Sequence, residues 1–429
     1  MSRVRVPPDP QIDIVYIKDI VKRLLVFTYA PAGLGHLRVT DALVDSRPKD
    51  LSYLMLGSYD RFITSFHRFF SVNPIGKFIF TLNQYGFLED IVTAIYRRIL
   101  IMTSGQMYRQ MKSIVQSKQD IDEIWVIATH FGMAHQLGAV KDRLAKDTGK
   151  KIKLIVQVTD DTTQHIWCIR GADLTFVPSL LTKEKLLKYA SRHKIDSKYE
   201  VIPYPLCPIL TAKLDVSKGR DQALGKSKQK INVAVPISGA SVGLNYATKL
   251  ITELCKKSDR FKFWVLVKKS VYTDHFINEL SKLTGVSLIT GRNDNEMISL
   301  YELLYQENLI HLEITKPSEQ SFKAILPPAC VGGSILLFTA PVGRQEYENM
   351  EFLKRHGLMP GYLDTTPRAI SLPENPLKAA DFVIQSLETG LFLRMSLPSF
   401  QFSEASMKSG EVGSSGSEDF WKKVESLLG

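Results

Sequence analysis

Two polar residues follow apolar, strand-like runs in the first half of the sequence, where a proton could be moved. His36 ends the run Pro31-Ala32-Gly33-Leu34-Gly35-His36, and Asp160 ends Val158-Thr159-Asp160. A positioned carboxylate or imidazole can take the proton of an attacking hydroxyl. Asp160 is the first candidate for that base and His36 the second. The reason for this order is that a helix N-terminus disfavours protonated imidazole and makes it a better hydrogen-bond donor. Each residue also has a plainer reading, Asp160 as a turn or helix cap and the glycine loop as a tight turn.

The second half offers groups for anions and hydroxyls. Pro236-Ile237-Ser238-Gly239-Ala240-Ser241-Val242-Gly243 joins a strand to a helix and can cradle a phosphate through Ser238 and Gly239. It lacks Gly-Lys-Ser/Thr and so is not a Walker A loop. Lys316, Ser318 and Ser321 follow the next such strand, and Gln345, Glu346 and Asn349 open a helix after another. Lys316 can meet an anion. Gln345 and Asn349 share a helix face suited to sugar hydroxyls, or belong to a solvated, carboxylate-rich helix start. Cys168, Cys207, Cys255 and Cys330 are far apart with no CxxC pair. Neither a zinc framework nor a cofactor is expected, and the cysteines read as free thiols.

These residues need parallel strands to position them. Short Val- and Ile-rich runs alternate with amphipathic stretches, the pattern of βαβ units. Strands are predicted at 24–28, 51–56, 123–128, 152–158, 174–177 and 199–203, then at 231–237, 262–268, 286–290, 309–315 and 334–340. The expected domains are 1–212, a polar linker at 213–230, 231–395 with a closing helix, and a flexible tail at 396–429. The chain of 429 residues has 44% hydrophobic and 23% charged residues, which excludes wholesale disorder. Its net charge of +11 points to an anionic partner. The basic residues are spread along the chain without a nucleic-acid-binding motif, so nucleic acid is not expected. Residues 59–98 mix aromatics with Arg and Lys, as at a membrane interface or in an ordinary core. No run spans a bilayer and no secretion signal opens the chain, so a cytoplasmic protein, peripheral on the inner membrane face, is expected.

Together these segments resemble the GT-B fold glycosyltransferases of the monogalactosyldiacylglycerol synthase, diacylglycerol glucosyltransferase and lipid-II-forming N-acetylglucosaminyltransferase group. Gly33, Gly35 and His36 match the Gly-Gly-Gly-His loop of that group, and Ile127-Ala128-Thr129-His130 its strand ending in Thr-His-Pro. Val158-Thr159-Asp160, His165, Trp167, Asp173 and Phe176-Val177-Pro178-Ser179 follow VTD…H.W…D..FVPS, and Thr315 to Asn349 resembles the donor signature. The resemblance implies two Rossmann-like domains facing a cleft. It implies transfer of a hexose from a UDP-linked sugar nucleotide to a lipid or other hydroxyl acceptor, with no obligatory metal. Gly33, Gly35, His130 and His165 would then lie on the acceptor side. Ala324 stands where the family has the carboxylate that binds the nucleotide ribose. Two alternatives share the scaffold: an epimerase-like enzyme, and a non-catalytic carbohydrate- or lipid-binding protein.

Overall fold

The computed structural model describes residues 22–29, 34–57, 86–118, 120–215, 219–225, 228–237, 241–397 and 400–429. The apolar runs form strands in two parallel sheets. The first holds β1 (Arg23–Tyr29), β2 (Ser52–Gly57), β3 (Glu123–Ala128), β4 (Lys151–Gln157), β5 (Leu174–Val177) and β6 (Tyr199–Val201), in the order β2-β1-β3-β4-β5-β6. The second holds β7 (Ile231–Pro236), β8 (Phe261–Lys268), β9 (Val286–Gly291), β10 (Leu312–Thr315), β11 (Ile335–Phe338) and β12 (Ala369–Ser371), in the order β12-β11-β10-β7-β8-β9. Central strands are covered on both faces, so every residue of β3 is buried. In register, Val26 faces Val126, and Val126 faces Leu154.

The helices of the first unit are α1 (Leu34–Asp45), α2 (Gly86–Met102), α3 (Gly105–Gln116), α4 (Phe131–Thr148) and α5 (Leu180–Arg192). The short α6 (Pro208–Thr211) and α7 (Arg220–Leu224) lie on the connection between units. The second unit carries α8 (Leu244–Lys257), α9 (Asp274–Leu280), α10 (Asp294–Glu307) and α11 (Arg344–Arg355). The chain then runs through α12 (Pro376–Glu388), α13 (Leu391–Met395), α14 (Glu404–Ser409) and α15 (Gly416–Leu428). The expected closing helix is thus two helices, broken at Gly390, whose φ of 70° suits glycine. Two parallel α/β units face one another, which is the GT-B fold.

Two segments differ from their sequence reading. The polar connection is fastened to the second domain: the buried Arg220 guanidinium donates to the carbonyls of Ile310 (2.7 Å), Cys330 (2.9 Å) and Val331 (2.5 Å). The expected flexible tail ends in α15, which packs back on the first domain. Phe420, Trp421 and Val424 are buried there, and Trp421 Nε1 donates to Leu43 O at 3.0 Å. A Cβ on Gly416 would lie 2.6 Å from Tyr204 O, so glycine permits the helix start to press against that backbone. One apolar core runs across both domains, with Tyr204 stacked on Phe322 at 3.9 Å between ring centres.

Candidate functional site

In open parallel sheets, ligands lie beyond the strand carboxyl ends where the strand order reverses. The first sheet reverses between β1 and β3. Their carboxyl ends lead to His36, in the first turn of α1, and to Thr129 and His130. The second sheet reverses between β7 and β10, and β10 leads directly into Lys316.

His36 is held by backbone and hydroxyl groups. Its Nδ1 lies 2.8 Å from Thr129 O and 3.1 Å from Thr159 Oγ1. A carbonyl oxygen only accepts, so the neutral ring carries its hydrogen on Nδ1 and its lone pair on Nε2. Thr40 and Thr129 hydroxyls both donate to His36 O, at 2.8 and 3.1 Å, which ties α1 to the end of β3. His130 caps α4 by accepting from Gly132 N (3.1 Å), and its ring meets His36 edge-on at 4.8 Å.

Asp160 faces the second domain. Asn349 Nδ2 donates to its Oδ1 (2.9 Å) and to Pro317 O (3.2 Å), while Asn349 Oδ1 accepts from Asp161 N (2.8 Å). Burial pushes the Asp160 carboxyl up to about 8, and Glu319, Glu346 and Glu348 add to the rise against the Asn349 hydrogen bond. Asp160 therefore holds its proton at neutral pH. This runs against its place as first candidate for the base: at that pH it donates. Burial also raises Glu346, although Lys316 is 3.6 Å away and Val342 N donates to it at 2.6 Å.

Polar bonds close the two faces on each other. Arg38 pairs with Glu319 at 2.8 Å. A Cβ on Gly35 would lie 2.7 Å from the Glu319 carboxyl, so only glycine admits it without displacement. Arg344 meets Glu89 (2.7 Å) and Glu348 (3.0 Å), and Glu348 accepts from the hydroxyls of Thr162 and Thr163, both at 2.7 Å. Arg355 pairs with Asp161 at 2.6 Å.

Of the other sequence-predicted residues, Gly33, Ser238 and Gly239 lie outside the described residues. Ser318 opens the 3-10 turn Glu319–Ile325, where Ser321 is fully buried and its hydroxyl has no hydrogen-bond partner among the described residues. Gln345 is half-buried in the first turn of α11. His165 is turned onto Asp90 (Nδ1 to Oδ1, 2.7 Å) and stacks on Tyr189 at 4.0 Å. Ala324 is fully buried. Next to it Lys323 Nζ is enclosed with Glu313 Oε2 (2.6 Å) and Tyr301 OH (2.7 Å), and burial draws its ammonium down to about 8. Sequence reasoning missed Arg38, Glu89, Arg344 and Glu348. Arg344 and Glu348 sit inside the stretch selected for sugar contacts, whereas nothing in the spacing marks Arg38 or Glu89 as partners across the domains.

No protein-family model matches the chain, and no curated protein sequence does either. The structure is similar to the Staphylococcus aureus MnaA–UDP co-structure at 11% identity, covering 95% of this chain and 97% of that one, with a TM-score of 0.54. It also aligns with the Neisseria meningitidis UDP-GlcNAc 2-epimerase bound to UDP-GlcNAc (11% identity, 94% and 100% covered, TM-score 0.49). A further alignment is with Acinetobacter baumannii MurG (10% identity, 94% and 99% covered, TM-score 0.45). What the likeness to the MnaA structure establishes is the fold: a two-domain GT-B protein with a cleft between parallel sheets.

Proposed function

We propose that the chain is a sugar-nucleotide enzyme, a hexosyltransferase moving a hexose from a UDP-linked donor to a hydroxyl acceptor on a lipid. What supports this most is that Asp160 meets Asn349 and Glu346, with Lys316 on Glu346, where both sheets reverse their order, and that His36 is held beside it by Thr159. In this reading the donor diphosphate lies between the segment 238–243 and Lys316, near the start of α8. The acceptor oxygen bonds to the sugar carbon as its bond to the diphosphate breaks. The acceptor proton passes to His36 Nε2, and UDP leaves with its charge offset by Lys316. Asp160 keeps its proton and donates a hydrogen bond.

The lipid acceptor rests on a second feature. Residues 58–85 of the aromatic-basic stretch lie outside the described residues. The stretch continues into α2, where Leu88, Ile91, Val92, Ile95, Ile99 and Met102 recur at helical spacing and are all exposed. Among the described residues no helix is long and apolar enough to cross a membrane, so contact would be peripheral.

An epimerase is the second reading. It is favoured by Asp160, a protonated carboxyl beside the raised Glu346, a pair able to give and take protons at a sugar carbon. Calorimetry with UDP, GDP, ADP and dTDP tests the shared claim: UDP should bind, and binding by none of the four would overturn it. Incubation with UDP-hexoses and acceptor lipid separates the readings. A transferase yields glycolipid and free UDP, whereas an epimerase yields a stereoisomer of the nucleotide sugar.

A further inference from the structure

On the second domain's side of the cleft, α11 is already engaged by the first domain. Three side chains from its first two turns, Arg344, Glu348 and Asn349, reach the loop 160–163 that follows β4. Asn349 is spent on the Asp160 carboxyl and the Asp161 amide. Glu348 takes the next two hydroxyls of the loop, one on each oxygen. Thr162 Oγ1 donates to its Oε2 and Thr163 Oγ1 to its Oε1, both at 2.7 Å. The Thr163 amide adds a bond to Oε2 at 3.2 Å. Arg344 donates to Thr163 Oγ1 at 2.6 Å and pairs with Glu348 at 3.0 Å.

The Thr163 hydroxyl therefore accepts from a guanidinium and donates to a carboxylate, while its neighbour donates to the other oxygen of that carboxylate. Two adjacent hydroxyls shared out in this way are what neighbouring positions of a sugar ring offer, since each hydroxyl both gives and accepts. The other bonds between the domains lack this form: Arg38 with Glu319 and Arg355 with Asp161 simply join opposite charges. The place is also shielded. Thr162 is fully buried and the Glu348 side chain is 22% exposed. Charge-assisted hydrogen bonds sheltered from water are strong enough to hold a loop in place.

We propose that Thr162 and Thr163 stand in for the hexose: in the closed cleft they occupy the hydroxyl-binding pair Glu348 and Arg344, and a sugar nucleotide displaces them to bind. The inference rests on the sugar-nucleotide reading of the cleft and adds to it a subsite and a brake. Only molecules whose loop 160–163 is released can take the hexose, so the observed affinity is the intrinsic one reduced by the fraction released. UDP lacks the hexose and has no group for Glu348, so its binding is indifferent to the loop. A ligand shifts such an equilibrium only through contacts that differ between the two states.

Calorimetry on the full chain with UDP, UDP-glucose, UDP-galactose and UDP-GlcNAc reads the difference. Thr162→Val with Thr163→Val keeps the shape of both side chains and removes both hydroxyls. It should tighten one or more UDP-hexoses by about fivefold or more and leave UDP within about twofold of the wild type. Thr162→Ser with Thr163→Ser keeps the hydroxyls and should bind as the wild type does. If the valine pair does not fold, Thr163→Val alone, at a half-buried position, carries the same comparison. Unchanged UDP-hexose affinity in the valine variant, an equal gain for UDP, or the same gain in the serine variant would each overturn the proposal. UDP binding without a hexose gain overturns it and leaves the sugar-nucleotide reading standing, whereas binding of no nucleotide by any of the proteins removes both.

Discussion

At Asp160 a carboxyl is shut among three glutamates with one amide donor to steady it, and its proton becomes a testable quantity. Its folded-state value is raised from 3.8 to about 8, so the folded protein holds that proton more tightly than the unfolded chain does. The stability this contributes is complete below 3.8 and is lost as pH rises towards 8. Asn mimics the protonated carboxyl. Urea denaturation at pH 5, 7 and 9 should therefore show the wild type weakening more steeply with pH than Asp160→Asn, with the variant the more stable at pH 9. Turnover separates the two roles. With His36 as base, activity should fall as pH passes about 8, and His36→Ala should cost roughly 10²–10⁴-fold while UDP affinity holds. Were Asp160 the base, activity would instead rise through the same range and Asp160→Asn would carry that loss. Both residues were legible in the sequence because each follows a buried apolar strand. The proton on Asp160 was not, since Glu319, Glu346 and Glu348 reach it only through the closure of the second domain.

Among the elements, the strands were the most legible. A run such as Glu-Ile-Trp-Val-Ile-Ala in β3 is covered on both faces and reads as continuously apolar. The docking of the last helix was not. Its Ser- and Gly-rich approach resembles a loose tail. Only the folded chain shows Trp421 and Phe420 against β1 and β5, edge-on to Phe27 at 6.1 Å and tilted on Phe176 at 4.7 Å. Trp421→Ala removes a buried indole and its hydrogen bond to Leu43 O, so it should lower stability by about 3–5 kcal/mol in chemical denaturation. A loss below about 1 kcal/mol would mean that α15 is only lightly docked. On α2 the expected outcome is the opposite. Ile95→Glu with Ile99→Glu alters exposed positions and should leave stability nearly unchanged. The same pair should abolish flotation with anionic liposomes at low salt.

For the whole molecule, the decisive feature is that one apolar core spans both domains while polar bonds close the cleft above it. Domains joined by a small polar interface melt separately, whereas an interface continuous with the core couples them. Calorimetry should show one transition. Arg344→Ala, which strips Glu89 and Glu348 of a largely buried partner, should move that transition down as a unit by about 3 kcal/mol. Two separated transitions would contradict this coupling. The return of α15 to the first domain also bears on how the protein is made. A ribosome releases the whole first sheet, to Val201, long before it reaches Phe420, Trp421 and Val424, which complete the packing of that sheet. At ordinary rates of synthesis, roughly 5–20 residues per second, the nascent first domain waits about 10–45 s with that apolar surface uncovered. That surface is therefore covered late, and a chain cut short before α15 presents chaperones and proteases with a sticky, unfinished first half.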